Sequence, residues 1–426
     1  MQKAFFIGIK GVGMTSLALS MQDAGWSVSG SDTDESFITD EILNKRGIKI
    51  QSLSDPIPNV DKIIYSAAYP APITPEVFVP ISLAQALAEF VVDKHVIAVA
   101  GVGGKTTTTA MLATMFHQAG RDVGYYVGTG SISGLDAPGH CGTDPYFVVE
   151  ADEYAISKTD TRPKFSLITP RVLITTNIIH DHPDIYPDQD STLVAFSSLI
   201  TRIPESGTWI FNDSDPLSLK LYKGLTLVCK TLAYNGDLPR LDLSVFGDQN
   251  QLDAQASVLA AQATGMSHEL ALTSIKAYTG AGRRQEFHGE IDGRLLYDDY
   301  GHHPREIELT LNSFKKHFPG QRVLLIFESH TYSRTEALLE DFAKAIAIAD
   351  FPFIMPIFES AREKGVPHKI TPESFIQAVA KYNSQAKSLT WDNAGQTVWE
   401  SSLPGDIILT MGAGFVYKLH DLFKLK

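Results

Sequence analysis

Three observations predict an α/β fold made of several parallel-sheet units. Short runs of β-branched and small apolar residues alternate with helix-length stretches along the whole chain. Several of these runs end in glycine-rich or acidic turns, at residues 8–13, 101–104, 150–153 and 412–414, where open parallel sheets hold their ligands. The chain has 426 residues, more than one hydrophobic core encloses, so the alternation divides into two to four domains. It restarts near residue 94 and again near residue 282, giving expected domains at 1–93, 94–281 and 282–426.

Composition narrows the class. At 44% hydrophobic and 20% charged residues the chain lies in the ordinary globular range. Thirty-six Lys and Arg against 49 Asp and Glu give a formal charge of −13, which disfavours nucleic acid or an anionic membrane as the main partner. A phosphate ligand remains compatible, because a local nest of N–H groups and one lysine outweigh a distant, screened charge. Cys141 and Cys229 are far apart in sequence and outside any ligand-spaced cluster, which argues against a disulfide framework. The N-terminus turns glycine-rich at Gly8, too early for a signal peptide, and no apolar run has transmembrane length. The expectation is a cytoplasmic soluble protein, monomer or homodimer, with no nucleic-acid or membrane partner.

Residues 4–7 predict the first strand. Gly8-Ile9-Lys10-Gly11-Val12-Gly13 follows, then a helix over 14–24 closed by Gly25, and a strand over 26–32 ending at Asp32. The spacing G-x-x-G-x-G departs from the dinucleotide fingerprint, so the turn predicts a phosphate- or nucleotide-facing loop, with a plain tight turn as the other reading. Asp32 either binds a ribose hydroxyl or caps a helix over 35–46. A strand over 62–66, a proline-rich loop through Pro80 and a helix over 81–92 complete this unit.

The run Val96-Ile97-Ala98-Val99-Ala100 predicts a buried parallel strand, and Gly101-Val102-Gly103-Gly104-Lys105-Thr106-Thr107 leads into a helix over 106–120. The glycines let backbone N–H groups approach an anion at the helix N-terminus, Lys105 reaches the β- and γ-phosphates, and the Thr106 hydroxyl ligates Mg²⁺. Val99 stands where the full G-x-x-x-x-G-K-[ST] pattern has glycine, leaving a shorter form. The other reading is a glycine turn with Lys105 solvated. A strand over 123–127 follows. The strand over 146–150 then ends in Glu150-Ala151-Asp152-Glu153, and the strand over 171–177 ends near His180, Asp181, His182 and Asp184. The acidic groups at the first of these strand ends hold Mg²⁺ or a catalytic water, or are a charged strand exit; the histidines and aspartates of the second bind Zn²⁺ or assist Mg²⁺, or are only a polar loop.

Strands are predicted over 208–212 and 225–230, and helices over 247–264 and 268–278. Arg283 and Arg284 then follow a flexible turn, suited to polyphosphate or simply solvated. The last unit has strands at 294–297, 322–327, 351–357 and 406–410, with helices over 305–317 and 336–349. His302, His330 and Arg334 are read as loop residues after strands.

These motifs, in this order over nearly the whole chain, resemble the Mur ligase family. The resemblance rests on Gly11-Val12-Gly13-Met14, Gly104-Lys105-Thr106-Thr107-Thr108, Glu150-Ala151-Asp152-Glu153 and Asp181-His182-Pro183-Asp184. It continues with Gly282-Arg283-Arg284, Asp298-Asp299-Tyr300-Gly301-His302-His303-Pro304 and His330-Thr331-Tyr332-Ser333-Arg334-Thr335, the last two of which point to the alanine-adding branch. It implies an N-terminal Rossmann-like UDP-sugar domain, a central P-loop ATPase domain and a C-terminal Rossmann-like domain. It also implies ATP- and Mg²⁺-dependent joining of L-alanine to UDP-N-acetylmuramate through an acyl phosphate. On that resemblance Lys105, Glu150, His182 and Arg284 are the catalytic positions, and Thr106, Glu150 and His182 hold Mg²⁺. Gly101, Gly104, Lys105, Thr106, Thr107, Asn250, Arg284 and Asp299 would bind nucleotide. Gly11, Gly13, Asp32 and Ser66 would face the UDP-sugar, and Tyr300, His302, His330 and Arg334 the amino acid. Val102, Gly103, Gln249 and Phe415 depart from the family's usual residues. The segment with Tyr154, Lys164, Phe165, Pro170 and Arg171 is similar to the branch that recycles a murein tripeptide. That sister activity and a catalytically inactive nucleotide-binding regulator are the alternatives.

Overall fold

Strands buried on both faces read as unbroken apolar runs, and such runs form the centres of three sheets. The structure, a computed structural model, describes residues 1–72, 79–182, 185–358, 363 and 367–424. The chain forms two compact units: Met1–Val245 with Gln249–Gly282, and Phe246–Asp248 with Arg283–Lys426.

In the first unit, strands β1 (Lys3–Ile7), β2 (Ser27–Asp32), β3 (Lys49–Ser52), β4 (Lys62–Tyr65) and β5 (Ile81–Ser82) form a parallel sheet in the order β3-β2-β1-β4-β5. Helices α1 (Val12–Asp23) and α2 (Asp40–Lys45) connect β1 to β2 and β2 to β3, and α3 (Leu83–Phe90) leads on from β5. The helix expected over 35–46 is only α2, because its N-cap is Thr39, whereas Asp32 is used elsewhere. The helix expected over 81–92 is shorter too. Ile81 and Ser82 pair with Ile64 and Tyr65, and the Ser82–Gln85 capping box then starts α3. Part of the proline-rich loop, residues 73–78, lies outside the described residues.

The second sheet has the order β12-β11-β10-β6-β9-β7-β8. Its strands are β6 (His95–Ala100), β7 (Gly124–Tyr126), β8 (Gly139–His140), β9 (Tyr146–Glu150), β10 (Val172–Thr175), β11 (Thr208–Asn212) and β12 (Lys230–Tyr234). All pairs are parallel except β7–β8. The strand expected over 225–230 lies further on. Leu225 ends helix α6 (Pro216–Gly224), and it is Lys230–Tyr234 that meets β11 in register. Helix α4 (Lys105–Gln118) is buried from Thr106 to Phe116, so it carries no polar face. Helices α5 (Gln189–Ile200), α7 (Asp248–Ala263) and α8 (His268–Ile275) complete the set, α5 and α6 being absent from the sequence reading.

One core joins the two sheets of this unit, running from Phe6, Leu17 and Leu87 to Ala98, Phe147 and Trp209. Polar ties reinforce it. Ser16 Oγ donates to Pro138 O and accepts from Val127 N, and His140 holds Asp23 at 2.8 Å and Asp122 at 2.7 Å. The two carboxylates raise the His140 pKa, the bond to Asp23 contributing most.

The second unit carries the sheet β13-β14-β18-β15-β16-β17. These strands are β13 (Glu286–Ile291), β14 (Arg294–Asp299), β15 (Val323–Phe327), β16 (Phe351–Ile354), β17 (Lys387–Ser388) and β18 (Ile407–Met411). The β13–β14 hairpin is antiparallel and the rest parallel. Helices α9 (Pro304–His317), α10 (Tyr332–Ala337), α11 (Leu339–Ile346), α12 (Pro372–Ala380), α13 (Ala394–Ser401) and α14 (Leu419–Lys424) flank it. The helix expected over 336–349 is two helices broken at Leu338, so Arg334 sits on α10 and not in a loop. No helix among the described residues is long and apolar enough to cross a membrane.

Register leaves no room for a side chain at Gly30, which pairs with Phe6. A Cβ there would stand 2.5 Å from Phe6 O and 2.8 Å from the Ile9 side chain. Gly30→Ala is expected to lower the unfolding free energy by about 1–3 kcal/mol in urea denaturation.

Candidate functional site

The loop after β6 is glycine-rich for two different reasons. Gly101 and Gly104 have φ of +132° and +84°, where side chains are disfavoured. A Cβ at Gly101 would also collide with Thr176 Oγ1, and one at Gly104 would lie 2.5 Å from the Asp253 carboxylate. The exit of β10 braces this loop. Asn177 Oδ1 accepts from Val102 N and Gly103 N at 3.1 Å each, while Thr176 Oγ1 and Asn177 Nδ2 donate to Gly103 O at 2.6 and 2.9 Å. Two of the amides that sequence reading offered to an anion are therefore already engaged. The start of α4 follows directly, where a helix presents its N-terminal dipole to an anion.

Lys105, the first residue of α4, is not solvated. Its ammonium donates to Gly101 O at 2.6 Å and pairs with Glu153 at 2.8 and 3.0 Å. Burial works against its charge, but Glu153, Asp152 and Glu150 outweigh that and hold its pKa above the ordinary lysine value. Thr106 donates to Glu150 Oε1 at 2.8 Å, and Gly128 N to Glu150 Oε2 at 2.7 Å. Thr107 follows, buried on the same helix. Asp152 pairs with Lys164 at 2.6 Å; burial opposes its ionisation, yet Lys164 and Lys105 bring its pKa down to about 2.

His182 has φ of +59° and sets its Nε2 3.7 Å from both Glu153 Oε1 and Asp181 Oδ2, its ring edge-on to Tyr154 at 4.7 Å. Pro183 and Asp184 of that motif lie outside the described residues. The structure thus gathers Lys105 and His182 around Glu153, and joins Thr106 to Glu150. Glu153, Asn177 and Asp253 were missed as working residues. Only Glu153 carried a signal, as the last member of an acidic strand exit. Asn250 lies one turn before Asp253 on the buried face of α7.

At the first glycine turn, the buried carboxylate of Asp32 accepts from Lys10 N at 2.7 Å, Thr33 N at 2.8 Å and Tyr69 OH at 3.1 Å. It ties the turn to the end of β2 and caps no helix. Gly11 is the N-cap of α1 and offers no side-chain acceptor. Ser66 follows β4 and closes on β1 through Ser66 N to Ile7 O at 3.0 Å.

In the second unit the paired arginines separate. Arg283, expected to face polyphosphate or water, is buried with its Nε 2.7 Å from Asp298 and its terminal nitrogens on Gly414 O and Gly412 O. It fastens the Gly412–Gly414 turn and is not available to a ligand. Arg284 lies over the Tyr300 ring at 5.1 Å. Asp299 accepts from Gly301 N and Gln285 N, and burial outweighs these and Arg284, pushing its pKa up to about 6. Glu328 supports the same turn from the other side, accepting Val416 N at 3.0 Å; its burial lifts the pKa to about 7. The rings of His302 and His330 stand 6.1 Å apart, His330 stacks on Phe358, and Arg334 is buried on α10. Ligand atoms of Glu286, His288 and Asp298 lie within 4.8 Å of one another, but Arg283 and Thr410 already occupy the two oxygens of Asp298. A guanidinium there opposes a cation.

Against known proteins, residues 3–95 match the Mur ligase family catalytic domain, 99–237 the Mur ligase middle domain and 283–414 the Mur ligase glutamate ligase domain. The UDP-N-acetylmuramate–L-alanine ligase of Desulfitobacterium hafniense is 32% identical over 446 residues, covering 97% of each chain. This chain belongs to the Mur ligase family. Among solved Mur ligases, the UDP-N-acetylmuramate-alanine ligase of Thermotoga maritima superposes with a TM-score of 0.78 at 20% identity, covering 100% of this chain and 99% of its own. The murein peptide ligase of Psychrobacter arcticus gives 0.72 at 25% identity, covering 100% and 98%. Like them, this Mur ligase is an α/β enzyme built on three sheets.

Two outcomes are expected. Arg283→Ala leaves the buried Asp298 without its partner and lowers the unfolding free energy of the second unit by about 3–5 kcal/mol in denaturant titration. Glu328 stays protonated in the folded protein while its unfolded counterpart ionises, so its contribution to stability falls as pH rises from about 4.5 to about 7 and is constant above. Glu328→Gln should therefore gain thermal stability over wild type across that interval, and equal gains at pH 4.5 and pH 7.5 would contradict the assignment.

Proposed function

We propose that this Mur ligase joins L-alanine to UDP-N-acetylmuramate at the expense of ATP, in the cytoplasm, as a step of peptidoglycan precursor synthesis. The observation that carries the reading is the cationic Lys105 at the start of a buried helix, held by Glu153 and flanked by Thr106–Glu150 and His182. The name of the Desulfitobacterium hafniense relative supports the choice of substrates. Residues 1–93 would hold the nucleotide sugar, 94–281 ATP and 282–426 the amino acid.

Thr106 is a hard oxygen donor that would hold one Mg²⁺ with the triphosphate, and Glu150, 2.8 Å from it, would hold a second with His182, toward the substrate carboxylate. When bound, the ions would offset the repulsion between a substrate carboxylate and the triphosphate. The chain's own groups do the rest. The amides at the start of α4, with Gly101 and Gly104 giving the backbone its approach, would seat the phosphates beside Thr107. Lys105 would exchange Glu153 for the transferring phosphoryl group, and Arg284 would add a second cation. Asn250 would face the adenine and Asp299 the ribose. Gly11, Gly13, Asp32 and Ser66 would orient the UDP-sugar, so that its carboxylate attacks the γ-phosphorus and ADP leaves. Tyr300, His302, His330 and Arg334 would present alanine, Arg334 forking its carboxylate while the amine attacks the acyl carbon, and the tetrahedral adduct collapses to the amide with loss of the amine proton and release of phosphate.

A murein tripeptide is the second acceptor to test, because the Lys164 segment packs against Asp152 beside this site and the Psychrobacter arcticus enzyme is a murein peptide ligase. ADP release with ATP, Mg²⁺ and UDP-N-acetylmuramate is expected with L-alanine and not with the tripeptide; the reverse result overturns the choice of acceptor. Lys105→Ala is expected to lower turnover by about 100-fold or more. Arg334→Ala is expected to raise the KM for the amino acid by about tenfold or more and to leave the KM for ATP unchanged.

A further inference from the structure

Gly13 is a glycine for a reason that its backbone does not supply, since it is not among the residues of positive φ. A Cβ at this position would overlap the hydroxyl oxygen of Tyr126, and would stand 3.5 Å from its Cζ and 3.3 Å from Leu83 Cδ2. Tyr126 ends β7 of the second sheet, and its hydroxyl thus reaches the first turn of α1, which belongs to the first sheet. The side chain is only 8% exposed, yet no hydrogen bond holds its hydroxyl among the described residues. The oxygen is nevertheless not among the fully buried unpaired atoms, so it keeps an opening through which a ligand can reach it.

The ground it faces is made of donors. Helix α1 spans 12 residues, its N-cap Gly11 brings no side-chain acceptor, and its first turn contains no acidic residue. The phenol O–H stands beside this first turn, whose amides lack helical partners, and an anion is the acceptor-only group that satisfies such a set. Burial, then Glu150 and Asp152, drive the Tyr126 pKa upward, so the proton stays on the phenol. Tyr126 also lines a small cleft with Leu83, Glu150, Asp152 and Lys164, at the acidic end of β9.

We propose that the Tyr126 hydroxyl donates a hydrogen bond to the diphosphate of the nucleotide sugar seated on the first turn of α1. The proposal deepens the reading of Gly11 and Gly13 as a nucleotide-sugar site and rests on it. Calorimetric titration of the full chain with UDP, UDP-N-acetylmuramate and ATP, in wild type and Tyr126→Phe, tests it. Phenylalanine keeps the ring and removes only the unbonded oxygen, so the thermal midpoint is expected to stay that of wild type. The Kd for both UDP and UDP-N-acetylmuramate is expected to rise about tenfold or more, with that for ATP unchanged. Unchanged UDP affinity overturns the diphosphate contact, including the case in which only UDP-N-acetylmuramate weakens. Equal weakening of ATP, or a lowered midpoint, makes Tyr126 a structural residue and also overturns it. Failure of wild type to bind UDP-N-acetylmuramate at all overturns instead the reading on which the proposal stands.

Discussion

A buried ammonium needs a counter-charge, and around Lys105 that need organises the first unit. With Glu153 in contact and Asp152 and Glu150 nearby, the lysine stays charged where burial alone would neutralise it. The same carboxylate draws His182 toward it, and Tyr186 fixes its backbone through a 2.6 Å hydrogen bond to Glu153 O. A triphosphate would then compete with Glu153 for a cation that is already in place. The cation is preorganised at the start of α4 and does not have to be recruited from solvent.

The second unit uses its buried cation differently. Arg283 spends its donors on Asp298 and on two carbonyls of the turn after β18, while Glu328 accepts an amide just beyond that turn. Donors on one side and an acceptor on the other fix a loop of small residues that has little side chain of its own to hold it. Adjacent arginines in sequence thus have unlike work, Arg283 inside the fold and Arg284 against Tyr300.

Much of the frame was legible in the chain because parallel strands and their exits are local patterns. Val96 to Ala100 declared a buried strand by composition alone, and Gly101 to Thr106 announced the turn and helix by residue type. What escaped was set by partners distant in sequence. Lys230–Tyr234 is a strand because it meets β11 in register, while the more apolar 225–229 stretch is taken up in leaving α6. The break at Leu338 was hidden by an uninterrupted helical composition. At the site, Lys105, Thr106, Glu150 and His182 were visible as motif residues. Asn177 and Asp253 were not, since their roles are contacts to a loop more than 70 residues away. The Arg283–Arg284 doublet could not be divided by inspection, because only the fold decides which guanidinium meets Asp298.

The core that runs unbroken from the first sheet into the second has a further meaning. With Ser16 and His140 stitching α1 to β7 and β8, the glycine turn of one sheet and the lysine-bearing helix of the other are parts of one compact unit with a shared core. A molecule bridging them is gauged by a ruler, not gripped by jaws. The core that spaces the two turns sets the span such a molecule must have.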